Sequence, residues 1–181
     1  MKIAFVIGHH KNSKGALSKH FGLREWDFYN KVIDELGDVS VFYHDETING
    51  YTSRIKNTSN KINKVNFDLV IELHFNSAVH KSANGCETLY YFRSKKGREY
   101  ANKFSQVVTN ETGIKSRNGG LKSLTNRNDR GFASVYYTNA PTILIEPFFG
   151  SNDSDCKKIE SPRNLARIIN IFIDSIKFKT L

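Results

Sequence analysis

The sequence predicts a three-layer α/β/α domain, with a central, mostly parallel, twisted sheet of about six strands and helices on both faces. Three observations carry this expectation. Short apolar runs alternate with segments of helical periodicity along the 181 residues, the order that builds parallel sheets. One run, Phe67–Leu73, is apolar at Leu69, Val70, Ile71 and Leu73, which leaves little room for a wet side and suits a strand covered on both faces. Three runs end abruptly in polar residues: Lys2–Ile7 in Gly8-His9-His10, Phe67–Leu73 in His74-Phe75-Asn76, and Thr142–Ile145 in Glu146-Pro147. Open α/β sheets bind their ligands beyond the carboxyl ends of the strands, where these polar groups would fall.

The first strand, Lys2–Ile7, passes into a polar loop, Gly8–Gly22, whose length marks it as a functional segment. From Leu23 the spacing turns helical through Trp26, Tyr29, Val32, Ile33 and Leu36, with Gly37 as the stop and Glu25 in the first turn. Val39–Tyr43 reads as a strand, and Tyr51, Ile55, Ile62 and Val65 mark a helix capped by Thr52 or Ser53. After Phe67–Leu73, Gly85–Phe92 is rich in β-formers, and Gly97–Thr112 carries Tyr100, Phe104, Val107 and Val108 at helical spacing. Gly119–Gly131 reads as a polar loop, and Ser134–Tyr137 and Thr142–Ile145 as strands, with Tyr136 and Tyr137 packing on the sheet. The last helix opens with Ser161 as cap and Pro162 in its first position, and buries Leu165, Ile168, Ile169, Phe172, Ile173 and Ile176.

At 39% apolar content, 181 residues fill one core and fall short of two, so a single domain over 1–181 is expected. No run nears the roughly 20 residues of a membrane span. The N-terminus lacks a signal-peptide cleavage pattern, and synthesis in the cytoplasm is expected. Cys86 and Cys156 form no C-x-x-C, which argues against a disulfide framework and a thiolate zinc site. The formal charge of +9, with a pI of about 9.5, implies a polyanionic partner or a solubilising surface. His20, His44 and His80 sit in polar stretches and are read as solvent-exposed.

If the three polar-ended strands share one sheet and one direction, His9, His74 and Glu146 converge, and Glu25 joins them from the first helix. Each alone reads as a structural residue; their joint placement carries the chemistry. Two imidazoles and one carboxylate form a catalytic zinc set with a position open to water, and a second carboxylate nearby can move the water's proton. Glu25 as ligand would offset metal charge, while Glu146 must stay off the metal to shuttle protons. His10 is an alternative to His9 as ligand. Glu72, two residues before His74 and on the same side of the strand, is either an acceptor orienting that imidazole or a paired core carboxylate. Asn76, on that side too, either holds substrate or braces the loop.

At these residues the chain resembles the zinc-dependent N-acetylmuramoyl-L-alanine amidases of amidase type 3. Gly8-His9 is similar to the family's glycine-histidine after the first strand, and Glu25 to the glutamate opening its first helix. His74-Phe75-Asn76 resembles its histidine-x-asparagine motif, Pro141–Asn152 its terminal glutamate motif, and Arg130-Gly131 the pair before its last two strands. Val6-Ile7 and His10 depart from the family's Asp-Pro and Gly. The resemblance implies a peptidoglycan hydrolase that cleaves the amide between N-acetylmuramic acid and L-alanine. It implies one zinc per chain on His9, Glu25 and His74, with Glu146 catalytic and Glu72, Asn76 and Arg130 orienting the site or touching substrate. It further implies a monomeric catalytic domain without a separate wall-binding module, drawn to an anionic wall polymer and not to nucleic acid, such as a phage or prophage lysin. Two alternatives stand beside it: a zinc carboxypeptidase or deacetylase of wall material, and a non-catalytic basic protein that binds wall or nucleic acid.

Overall fold

A computed structural model of the chain describes residues 1–177. The strands are β1 (Ile3–Ile7), β2 (Leu17–Ser18), β3 (Leu23–Arg24), β4 (Ser40–Tyr43), β5 (Leu69–Leu73), β6 (Cys86–Tyr91), β7 (Ser116–Leu124) and β8 (Thr142–Glu146). The helices are α1 (Glu25–Leu36), α2 (Tyr51–Ile62), α3 (Lys95–Thr112), α4 (Phe132–Tyr136), α5 (Asp153–Ile159) and α6 (Pro162–Lys177). Six strands form one sheet in the order β4-β1-β5-β8-β6-β7, while β2 and β3 make a small antiparallel pair. Strands β4, β1, β5 and β8 run parallel; β6 runs against β8, and β7 lies parallel to β6. Among the described residues, no helix is long and apolar enough to cross a membrane.

The period-2 alternation of side chains decides what each face of the sheet meets. Phe5, Ile7, Leu69, Ile71, Leu73, Ile143 and Ile145 pack with α1, α3 and α6 into the larger core. Ala4, Val6 and Val70 meet Ile62 of α2, and Leu89 and Leu144 meet Phe132 and Val135 of α4. This is the expected three-layer architecture. The helix α6 begins as anticipated, with the Ser161 hydroxyl accepting from the Asn164 amide at 3.1 Å.

Four local expectations are corrected. The first part of the segment read as the loop Gly119–Gly131, up to Leu124, belongs to the edge strand β7, because pairing with β6 outweighs its poor β-propensity. Positive φ at Asn118, Gly119 and Gly120 absorbs the register shift between the two strands. Ser134–Tyr137 is not a strand: a short apolar run fits either structure, and here Phe132–Tyr136 is helical after the left-handed Gly131. Tyr136 stacks on Phe132, with centroids 5.0 Å apart, and still packs on the sheet, meeting Tyr91 of β6 edge-on at 5.4 Å. The cap of α2 is Gly50, without a side-chain hydrogen bond, instead of Thr52 or Ser53. The helix α5 was not anticipated; Asn152 caps it by accepting from the Asp155 amide at 2.9 Å.

Candidate metal centre and its cavity

The carboxyl ends of β1, β5 and β8 lie side by side, and the sheet's own ladder fixes the residues beyond them. The Gly8 amide donates to the Leu73 carbonyl at 3.1 Å, and the His74 amide donates to the Ile145 carbonyl at 3.1 Å. Asn76 bridges to Phe149, donating to the Phe148 carbonyl and accepting from the Gly150 amide. His9 takes a left-handed φ of 67°, and its ring meets that of His74 edge-on with centroids 5.0 Å apart. Glu25 opens α1 with its carboxylate almost wholly buried, and Oε1 accepts from the Ala16 amide at 3.0 Å.

His9, Glu25 and His74 come together as expected: one ligand atom from each lies within 4.8 Å of the others. Glu25 Oε2 stands 3.3 Å from His9 Nε2 and 3.1 Å from His74 Nδ1. His9 Nε2 is buried and forms no aligned hydrogen bond despite that short distance, which leaves this nitrogen available as a ligand. Two nitrogens and a carboxylate oxygen facing one point suit a borderline cation such as zinc. Two glycines make room for this cluster. A Cβ on Gly8 would fall 2.2 Å from His74 Cε1, and one on Gly15 2.5 Å from His9 Cδ2. His10 lines the cavity but stands outside the cluster, its backbone paired with Ser13.

His74 is held from both sides, since its Nε2 lies 3.1 Å from Glu72 Oε1. Behind Glu72 stands His44, with Nε2 at 3.7 Å from the same oxygen and Nδ1 at 2.9 Å from the Thr58 hydroxyl. His44 is 6% exposed, which overturns its reading as a solvent histidine; β4 delivers it to the sheet end, and that strand's depth was not legible from its polar flanks. Burial pushes the Glu25 and Glu72 carboxyls up, but hydrogen bonds and charge from their histidines dominate and hold both well below the usual range. The same carboxylates raise His74 against its burial.

Glu146 ends β8 and is 6% exposed. Its Oε2 accepts from Asn76 Nδ2 at 2.9 Å, so Asn76 both braces the loop and orients this carboxylate. Burial first, then the charges of Glu87 and Glu25, raise the Glu146 pKa against His74 and Arg130. Glu87 was not anticipated. It pairs directly with Glu146 across the antiparallel β6, and Arg117 and Lys122 approach it at 3.7 and 3.8 Å. His9, His74, Glu72, Asn76, Glu87 and Glu146 open on a cavity of about 770 Å³ that Arg130 also lines.

Comparison with known proteins follows from this geometry. The profile of a family described as N-acetylmuramoyl-L-alanine amidase matches residues 3–177. A search of curated sequences returns no match. Among solved structures, an N-acetylmuramoyl-L-alanine amidase from Clostridium difficile 630 is 23% identical, with a TM-score of 0.75 over 99% of this chain and 98% of that one. The catalytic domain of the CD27L endolysin, which targets Clostridia difficile, is 23% identical, with a TM-score of 0.73 over 97% of each chain. The amidase AmiC2 of Nostoc punctiforme is 19% identical, with a TM-score of 0.74 over 99% of this chain and 98% of that one. At these identities the likeness shows a shared fold.

Proposed function

The chain belongs to the N-acetylmuramoyl-L-alanine amidase family, and from that premise we propose that it hydrolyses the amide joining N-acetylmuramic acid to the L-alanine of the stem peptide, using zinc held by His9, Glu25 and His74. The observation that carries this reading is the convergence of those three donors on one point, beside a separate, raised-pKa carboxylate at Glu146. When bound, zinc supplies Lewis acidity, polarising the scissile carbonyl and making water acidic enough to attack at neutral pH.

The chain's own residues do the rest. Asn76 occupies one oxygen of Glu146, leaving the other to take a proton from the attacking water and pass it to the leaving amine. Burial brings the Glu146 pKa closer to neutrality, which suits a group that must both accept and release a proton. Glu72 accepts from His74 Nε2–H, which reserves Nδ1 as the ligand atom. Residues 1–177 act as one catalytic domain on peptidoglycan, and the positive charge favours an anionic wall surface. A role in lysis fits the likeness to an endolysin catalytic domain.

Digestion of purified peptidoglycan tests the reaction. An amidase frees L-alanine amino termini without shortening the stem peptide, whereas a carboxypeptidase releases the terminal residue and a deacetylase releases acetate. Elemental analysis should find about one zinc per chain, the number that one three-ligand site holds; absence of metal after titration would remove the zinc from this reading.

A further inference from the structure

Among the described residues, the cavity beside the candidate metal centre is lined by three arginines without an ion pair to a carboxylate, Arg54, Arg127 and Arg130. The four carboxylates that line it are engaged: Glu72 by His74 and His44, Glu87 by Arg117 and Lys122, Glu146 by Asn76, and Asp129 by the Thr125 and Asn126 amides. Arg54 is steadied by the Ile48 carbonyl at 3.2 Å.

Tyr51 lies one turn before Arg54 on α2, and its hydroxyl reaches Ser134 of α4, the helix that Arg130-Gly131 precedes. The guanidiniums of Arg54 and Arg130 both act on that hydroxyl, while Arg130 also acts on Glu146 and Arg54 on His10. The three side chains therefore form one patch on the α2 and α4 side of the cavity, next to the reacting centre. Tyr51 Oη meets Ser134 Oγ at 3.4 Å, and burial, with the nearby Glu72, pushes its pKa up to about 12. At neutral pH it is a hydroxyl donor. Two planar guanidinium forks and one hydroxyl match the geometry of a carboxylate.

We propose that Arg54, Arg130 and Tyr51 bind a free carboxylate of the stem peptide and make the enzyme selective for that form over its amide. The inference rests on the amidase reading, which places the stem peptide in this cavity. The α-carboxyl of the D-glutamate that follows L-alanine is the first such group along the peptide from the scissile bond. Its charge, absent from the carboxamide form, is what the two guanidiniums distinguish.

The test uses the full chain with its metal and two soluble muramoyl tripeptides that differ only at that position, one with the α-carboxyl free and one with it amidated. The expected preference for the free acid is about tenfold or more in kcat/KM, the range of a charge-assisted hydrogen bond. Arg54→Gln and Arg130→Gln should each bring the ratio toward one, chiefly through KM, and Tyr51→Phe, which keeps the ring's packing, should lower it by a few-fold. Equal cleavage of both compounds by the natural chain, or a ratio unchanged in all three variants, overturns this proposal and leaves the amidase reading intact. Cleavage of neither compound at the amide overturns both.

Discussion

Replacing Glu146 with Gln separates proton transfer from metal binding. Gln can keep the contact to Asn76, now 2.9 Å from Oε2, by presenting its carbonyl oxygen there, but its amide cannot accept a proton from water. A general base contributes roughly 10²–10⁴-fold in rate, so kcat on a soluble muropeptide should fall by that factor while zinc content stays unchanged. The stability effect has a defined sign. The folded carboxyl titrates above its ordinary value because burial opposes its charge, so ionisation costs native stability, and that cost grows as pH rises from the unfolded value near about 4.3 through the folded one. A neutral Gln avoids it. Denaturant unfolding of the metal-free protein should therefore show the variant at least as stable as the natural chain at neutral pH, with its relative advantage fading in acid. Turnover near the natural rate refutes the role and shifts it to Glu87, the carboxylate paired opposite. Joint loss of zinc and activity would instead make Glu146 a ligand.

Three further outcomes are expected. His9→Ala should empty the metal site and His10→Ala should leave it filled, as read by elemental analysis; the reverse would mean that the wrong histidine has been assigned. Glu72→Gln should weaken zinc binding on the order of 10–100-fold in a chelator competition, the usual effect of removing the carboxylate behind a ligating histidine, and an unchanged affinity would return Glu72 to a packing role. Glu87→Gln removes a negative charge that raises the Glu146 pKa, so the acid limb of the kcat/KM profile should move to lower pH; a limb that stays or rises would show that the two carboxylates are not coupled.

Much of this was legible in the sequence because apolar runs ending in His74 and Glu146 carry their own signal. Periodicity located α1, α3 and α6, and the doubly buried β5 announced a covered sheet. What escaped depends on pairing. β7 has little strand character of its own, and only the neighbouring β6 makes Ser116–Leu124 extended. Glu87 could not be placed without knowing that β6 runs antiparallel, since that reversal brings the start of the strand, not its end, to the site. His44 follows a half-buried strand among polar residues, and its burial arises from Thr58 on α2 and Glu72 on β5. A directional signal was available for Glu87: it alternates with Leu89 and Tyr91, which shows a shared face but not which end of the sheet that face serves.

The position of β8 bears on how the chain acquires its chemistry. It is the last strand to be synthesised, yet it lies between β5 and β6. His9, Glu25 and His74 belong to the first half of the chain, on or beside β1, α1 and β5, which can pair before β8 exists. Until then β5 keeps an open edge, its Val70 and His74 amides waiting for the Pro141 and Ile145 carbonyls. Such edges recruit stray strands, and joining segments so distant in sequence is slow. Glu146 arrives only with that closure. A nascent chain would thus gather the candidate ligands early and gain its proton acceptor only with that late insertion, just before α5 and α6 complete the larger core.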